Sequence, residues 1–206
     1  QPDFPDAPPI WQVLRDRRSK RNFLPQSMTL NELNVLLWST QGIVQDMGDY
    51  QLRTAPSAGA LYPCETFLVV NRVDGLQPGL YHLDVRGWAL EGLRLEDLSD
   101  ASCEALLGQE MTRHACVNFL WTAVMERCRR KYHERAYRYV WWDSGHIAEN
   151  LALAGAALGL GVTSIWRVIA EAAMRHARSP PFVDASCKRR SSTNRTAASS
   201  GQGSRL

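Results

Sequence analysis

The sequence contains no C-x-x-C pair, no P-loop and no complete dinucleotide fingerprint. Its five cysteines (Cys64, Cys103, Cys116, Cys128 and Cys187) are scattered, with no His at ligand spacing, so no metal site is expected and free thiols in a reducing, cytoplasmic setting are. His146 and Glu149 stand three apart in a helical stretch, but two ligands without a third are a poor clasp for a metal. Gly159-Leu160-Gly161 would open a dinucleotide site only with Gly at position 164, where Ser164 stands, and the run follows a helix instead of a strand. The longest apolar stretch, Leu151 to Trp166, falls short of the roughly 20 residues that a spanning helix needs, and it carries Thr163 and Ser164. The opening QPDFPDAPP has neither a basic region nor an apolar core, so no signal peptide and no membrane partner are expected.

Acidic residues are missing from the carboxyl-terminal end. Five of the 24 basic residues and none of the 21 acidic ones lie in 185–206, which turns a net charge of −2 over the first 184 residues into +3 for the chain. The basic character belongs to the tail, and nothing asks for a nucleic-acid partner. A length of 206 residues with 45% hydrophobic content suits one domain, assigned to 1–184. Residues 185–206 have almost no large apolar side chains and are expected to be a disordered basic tail.

What is present reads as alternating helices and strands. Ile10, Val13 and Leu14 predict a short helix after Pro8-Pro9. Thr29 with Glu32 reads as a capping box for a helix carrying Leu30, Leu33, Leu36 and Leu37 on one face and ending at Gly42. Residues 43–53 read as a loop, and Thr66–Val70 as a buried strand. Leu80–Val85 and Trp88–Leu93 read as a hairpin joined by Arg86-Gly87, Leu95–Leu107 as a helix, and Ala115–Val124 as a strand buried on both faces. From Tyr139 a long helix is apolar on nearly every side, so the sheet or a second subunit must cover it.

Three groups of residues carry chemistry. Arg17, Arg18, Ser19 and Arg21 suit a phosphate monoester, because guanidinium forks donate bidentately to phosphate oxygens; the plain alternative is a solvated charge run. Pro56, Ser57, Ala58, Gly59 and Ala60 present almost no side chain, so a flat aromatic ring could lie against backbone amides, with Ser57 able to cap a helix. Lys131-Tyr132 sits among Arg127, Arg129, Arg130 and Arg135; neighbouring cations make a lysine a better base, while a basic surface loop is the alternative. Trp141-Trp142 reads as core or dimer packing.

Four segments occur in a telling order: RRSKRNF (Arg17 to Phe23), PSAGALYPCE (Pro56 to Glu65), PGLYHLD (Pro78 to Asp84) and KYHERAYRYVWWDSGHIAENLALAGAALGLG (Lys131 to Gly161). Together they resemble the nitroreductase-like flavoprotein family, in particular its SagB-type branch with the azoline dehydrogenases of thiazole/oxazole-modified peptide biosynthesis. The resemblance covers about residues 10 to 165 and finds no counterpart for the family's closing strand, which supplies a cofactor contact and crosses to the partner subunit. It implies an α+β fold with a central, mainly antiparallel sheet flanked by helices, and a homodimer sharing FMN sites across its interface. By the same resemblance Arg17, Arg18, Ser19 and Arg21 hold the phosphate and ribityl chain, and Pro56, Ser57, Ala58, Gly59 and Ala60 line the ring. Lys131 and Tyr132 then remove the proton that accompanies hydride transfer to or from N5. The implied activity is oxidation of a peptide thiazoline or oxazoline to an azole. The alternatives are an NAD(P)H-dependent nitro- or quinone-reductase acting on small molecules, and a defective member that binds no flavin.

Overall fold

The computed structural model describes residues 2–165 and Ser204–Arg205; the expectation of a disordered tail otherwise lies outside the described residues. Helix α1 (Ile10–Asp16) follows Pro9 and buries Val13. Helix α2 (Leu30–Gln41) begins on the capping box: Glu32 N–H donates to the Thr29 hydroxyl oxygen, and Thr29 N–H donates to the Glu32 carboxylate at 2.7 Å. Gly42 ends it as expected, though in an extended conformation (φ −56, ψ 131) instead of a left-handed one. Its lack of a side chain matters by contact, since a Cβ there would stand 2.5 Å from the Trp38 ring.

Residues 43–53 are not a loop. Strands β1 (Ile43–Asp46) and β2 (Gln51–Arg53) pair as an antiparallel hairpin, closed by Met47 N–H on the Tyr50 carbonyl and by Gly48 at φ +82. The polar composition hid it, because both strands are short and neither is fully buried.

The main sheet has the order β6-β3-β4-β5-β7, every pair antiparallel. Its centre is β3 (Cys64–Val70), flanked by β4 (Gly79–Asp84) and β6 (Val117–Ala123); β5 (Ala89–Arg94) and the two-residue β7 (Ser204–Arg205) complete it. The β4–β5 connection is 85–88 instead of two residues: Asp84 accepts from Arg86 N–H and Gly87 N–H, and Trp88 takes the left-handed φ of +48. Strand β6 is the sheet's outer strand and only partly buried, so the expected burial on both faces does not hold. The helix expected over 95–107 is shorter: α3 is Ser99–Ala105, and α4 is Met111–His114. Asp97 accepts from Ser99 N–H just before that start, while Leu98 at the N-cap makes no side-chain cap.

Leu33 and Leu37 of α2 pack against Leu68, Val70, Tyr81, Leu83 and Leu90 of the sheet to form the main core. Helix α5 (Met125–Tyr132) leads through a 3-10 turn (His133–Arg135) into the 22-residue α6 (Ala136–Ala157). Helix α6 lies against α2, with Asn150 donating to the Ser39 carbonyl at 2.9 Å. It ends on Gly159 (φ +73), with Leu160 N–H bonded to the Gly155 carbonyl and Gly159 N–H to that of Ala156, the Schellman pattern. Val162 forms an isolated parallel bridge to Ser19. Among the described residues no helix is long and apolar enough to cross a membrane.

Candidate functional site

The turn 57–62 is bent tightly by its backbone. Gly59, Ala60 and Tyr62 all have positive φ (+65, +54 and +44), and two of the three are not glycine. Such conformations cost on the order of 1 kcal/mol or more each and persist only where neighbours hold them. The holder is Asp143, a core position of α6 that is 3% exposed. Its carboxylate accepts from the Ser57 hydroxyl at 2.5 Å and from Ala58 N–H at 3.1 Å. The Ser57 oxygen in turn accepts from Tyr62 N–H at 2.9 Å, closing the turn across its base. Ser57 is therefore an anchor between turn and helix; it makes no side-chain cap to the 3-10 turn Ala58–Ala60.

Tyr62 is clamped twice. The Arg53 guanidinium lies over its ring at 4.5 Å, and its hydroxyl oxygen accepts from Arg53 N–H. Its carbonyl accepts from Arg127 of α5 at 2.9 Å. Arg127 also pairs with Glu65 at 2.5 Å, and Glu65 meets Nε2 of His82 at 3.0 Å, while His82 Nδ1 faces Glu91 at 3.0 Å. A neutral imidazole donates from one nitrogen only, so two carboxylates favour the doubly protonated ring. The Glu65 contact, followed by that of Glu91, holds the His82 pKa above its usual value against the opposing effect of burial. The same His82 contact, aided by Arg127, holds Glu65 below the usual carboxylate range.

Lys131 and Tyr132 arrive at the open side of the turn. A Cβ placed on Gly59 would stand 2.6 Å from the Tyr132 hydroxyl and 2.7 Å from Lys131 Nζ, so only a residue without a side chain lets both come that close. The Tyr132 ring packs on Tyr139 (4.4 Å between centroids), which meets Trp142 edge-on at 5.4 Å. Two of the four cations expected to press on Lys131 are paired, Arg127 with Glu65 and Arg129 with Glu126. Beneath the turn, Gln41, Pro56, Ser57, Cys64 and Asp143 line a cavity of ≈ 10 Å³, room for about one water. Burial, then the nearby Asp143 carboxylate, pushes the Cys64 thiol up to about 12, so it is no nucleophile.

The four amino-terminal residues diverge. Arg17 closes α1 and points Nε toward Glu149 of α6 at 3.8 Å. Arg18 folds back to donate to the carbonyls of Arg15 and Arg17. Ser19 bridges Val162, next to Lys20 N–H on the Val162 carbonyl at 2.9 Å. Arg21 lies on an open depression of ≈ 560 Å³ with Phe23, Gln109, Met111 and His114. Both candidate cofactor segments thus touch α6, at Glu149 and at Asp143. Six residues separate those contacts, about 9 Å along the axis and about 120° around it. Within one chain, cation and turn grip different faces of the same helix.

Asp143, Glu65 and His82 are neighbours of the turn that motif reading passed over, and Arg127 was read only as a cation near Lys131. Asp143 did leave a signal: it falls in register with Ala136, Ile147 and Leu151, the buried stripe of α6, where a carboxylate must find partners. His146 and Glu149 are both exposed, and among the described residues no group of three His, Cys, Asp or Glu could hold a metal.

Comparison with known proteins places the chain. The nitroreductase family model matches residues 14–178, further along the chain than the four ordered segments reach. A protein of Methanocaldococcus jannaschii designated a nitroreductase (MJ1384) is 33% identical over 156 residues, covering 76% of this chain and 77% of that one. The trifolitoxin-processing protein TfxB of Rhizobium leguminosarum bv. trifolii is 29% identical over 157 residues, 70% of this chain but 42% of its own length. A crystal structure from Anabaena variabilis, again designated a nitroreductase, superposes with a TM-score of 0.66 at 30% identity, covering 76% of this chain and 32% of that one. The chain therefore spans less than half of the last two proteins. These likenesses bear out the α+β fold with its antiparallel sheet.

Proposed function

The chain belongs to the nitroreductase family, a family of oxidoreductases, and from that premise we propose an FMN-dependent enzyme that oxidises a peptide thiazoline or oxazoline to the azole. The observation that carries this reading is the meeting of Lys131 Nζ and the Tyr132 hydroxyl at Gly59, on the open side of a turn nearly free of side chains. The likeness to a protein named for trifolitoxin processing supports a peptide substrate.

The residues present fit the cofactor. Pro56, Ser57, Ala58, Gly59 and Ala60 offer a ring a surface of backbone, and the Gly59 position would be filled by any Cβ. Arg17, Arg18, Ser19 and Arg21 supply donors suited to a phosphate. When bound, FMN supplies a two-electron acceptor for a hydride. Asp143 holds the turn through Ser57 and Ala58, so that its backbone face is fixed before any ligand arrives. As the neutral amine, Lys131 Nζ would take the proton lost from the azoline ring carbon; it stands 5.5 Å from the centroid of the Tyr132 ring, with the Tyr132 hydroxyl beside it at Gly59.

The site belongs to a homodimer in this reading. Tyr137, Trp141 and Trp142 on α6 are each at least half exposed, and arginines and turn sit on different faces of that helix. A second copy packed on α6 would cover the aromatics and set the arginines of one subunit beside the turn of the other. Sedimentation showing a monomer that retains FMN would overturn this.

A yellow protein whose Lys131→Ala variant keeps its flavin spectrum and loses azole formation is the expected result. A chain that stays colourless with added FMN overturns the cofactor, and azole formation by Lys131→Ala removes that lysine. The second reading, an NAD(P)H-dependent nitro- or quinone-reductase, is favoured by the similarity to MJ1384 over most of both chains. Rapid bleaching of the flavin by NADPH with a nitroaromatic acceptor, and no azoline oxidation, would establish it.

A further inference from the structure

We infer that Arg127 is a positioning residue, the strap by which α5 is fastened to the 57–62 turn so that Lys131 and Tyr132 stand over Gly59. This rests on the proposed role of that pair. Arg127 spans two elements with separate nitrogens: Nη1 donates to the Tyr62 carbonyl at 2.9 Å, and Nη2 meets Glu65 of β3 at 2.5 Å. The first turn of α5 is hung from the same bend, because Val124 N–H donates to the Pro63 carbonyl at 2.8 Å. Arg127 and Lys131 are four residues apart, hence on one face of α5, so the bond that fixes the first aims the second.

The strap is braced from behind. Glu65 is 19% exposed in its side chain and its other oxygen is held by His82, which Glu91 holds in turn, so the carboxylate cannot swing away from Arg127. Arg53 stacks on the Tyr62 ring and fixes the bend from the opposite side. A lysine at 127 could keep the charge but could not serve both acceptors with a planar fork. The remainder of α5 gives little independent purchase: Cys128 is its only buried residue.

The test uses the full chain carrying Arg127→Lys and Arg127→Gln, with near-ultraviolet circular dichroism to confirm folding. The first readout is the rate of Lys131 acylation by an amine-reactive probe, with exposed Lys20 of the same molecule as internal reference. The second is kcat and KM for an azoline peptide with FMN supplied. In both variants Lys131 acylation should accelerate several-fold relative to Lys20. Turnover should fall about 10- to 100-fold, as expected for displacement of a reacting group by about an ångström, with KM little changed. Folded variants whose Lys131 reacts at the native rate would overturn the strap. So would variants with freed Lys131 and native kcat, which would leave Arg127 structural only. Should Lys131→Ala itself retain turnover, the catalytic reading falls, while the acylation rates still report whether Arg127 holds α5.

Discussion

Ser57 and Asp143, 86 residues apart, share a hydrogen bond of 2.5 Å in which the hydroxyl donates to a carboxylate that is almost wholly buried. The bond ties the turn to the long helix, and Ala58 N–H adds a second tie to the same group. Replacing Asp143 with Ala leaves both donors without an acceptor. The expected loss is about 3 kcal/mol, roughly 10 °C in Tm for a domain of this size. Asp143→Asn keeps one acceptor oxygen and should lose about half as much. Native Tm in both variants would show that the turn stands without the helix.

Gly59→Ala separates strain from chemistry. At φ +65 an alanine costs about 1 kcal/mol, which urea unfolding would detect. Its methyl must also displace the Lys131 and Tyr132 side-chain ends. Turnover should therefore fall further than stability explains, by about tenfold or more. Unchanged kcat in the folded variant would mean that the pair does not work at this turn.

Stability should depend on pH through the Glu65–His82–Glu91 cluster. The His82 pKa is raised, so its contribution is complete below the ordinary imidazole value of 6.5 and is lost as pH rises through the raised one. The Glu65 pKa is lowered, so its contribution is complete above the ordinary 4.5 and is lost as pH falls through the lowered one. Urea midpoints should be highest between those two ordinary values, and His82→Gln should flatten the alkaline limb. Identical alkaline limbs in native protein and variant would remove His82 from the account. Arg127 and Arg53 also face Glu65.

His133, between α5 and α6, has φ +49 and ψ −128, a region that side-chain-bearing residues avoid. His133→Gly should gain about 1 kcal/mol in urea unfolding, and His133→Ala, with the same backbone penalty, should gain nothing. Equal effects of the two would show that backbone strain at this joint is not the cause.

Local signals were legible, and distant ones were not. The Thr29–Glu32 capping box could be read because its partners are three residues apart and meet wherever that helix starts. Gly42 was readable as a stop but not for its reason, which is the approach of Trp38. The helix start near residue 95 misleads because Leu95 is apolar yet 45% exposed, and the helix begins only at Ser99, whose N–H Asp97 accepts. Strand β6 looked buried on both faces because its composition is apolar; a sequence does not say which strand will lie at a sheet's rim. At the site, the turn and the Lys-Tyr pair were visible as composition. Asp143, Glu65 and the pairing of Arg127 were not, since each acts through a partner brought near only by the fold.

The parallel bridge from Ser19 to Val162, with Lys20 N–H on the Val162 carbonyl, has a consequence for synthesis on the ribosome. The arginine-bearing segment emerges early, yet the backbone that pins it is translated only after α6 is complete. A nascent chain stalled anywhere before that point would lack this backbone tie and hold its cationic arm to α6 through side chains alone, such as Arg17 on Glu149.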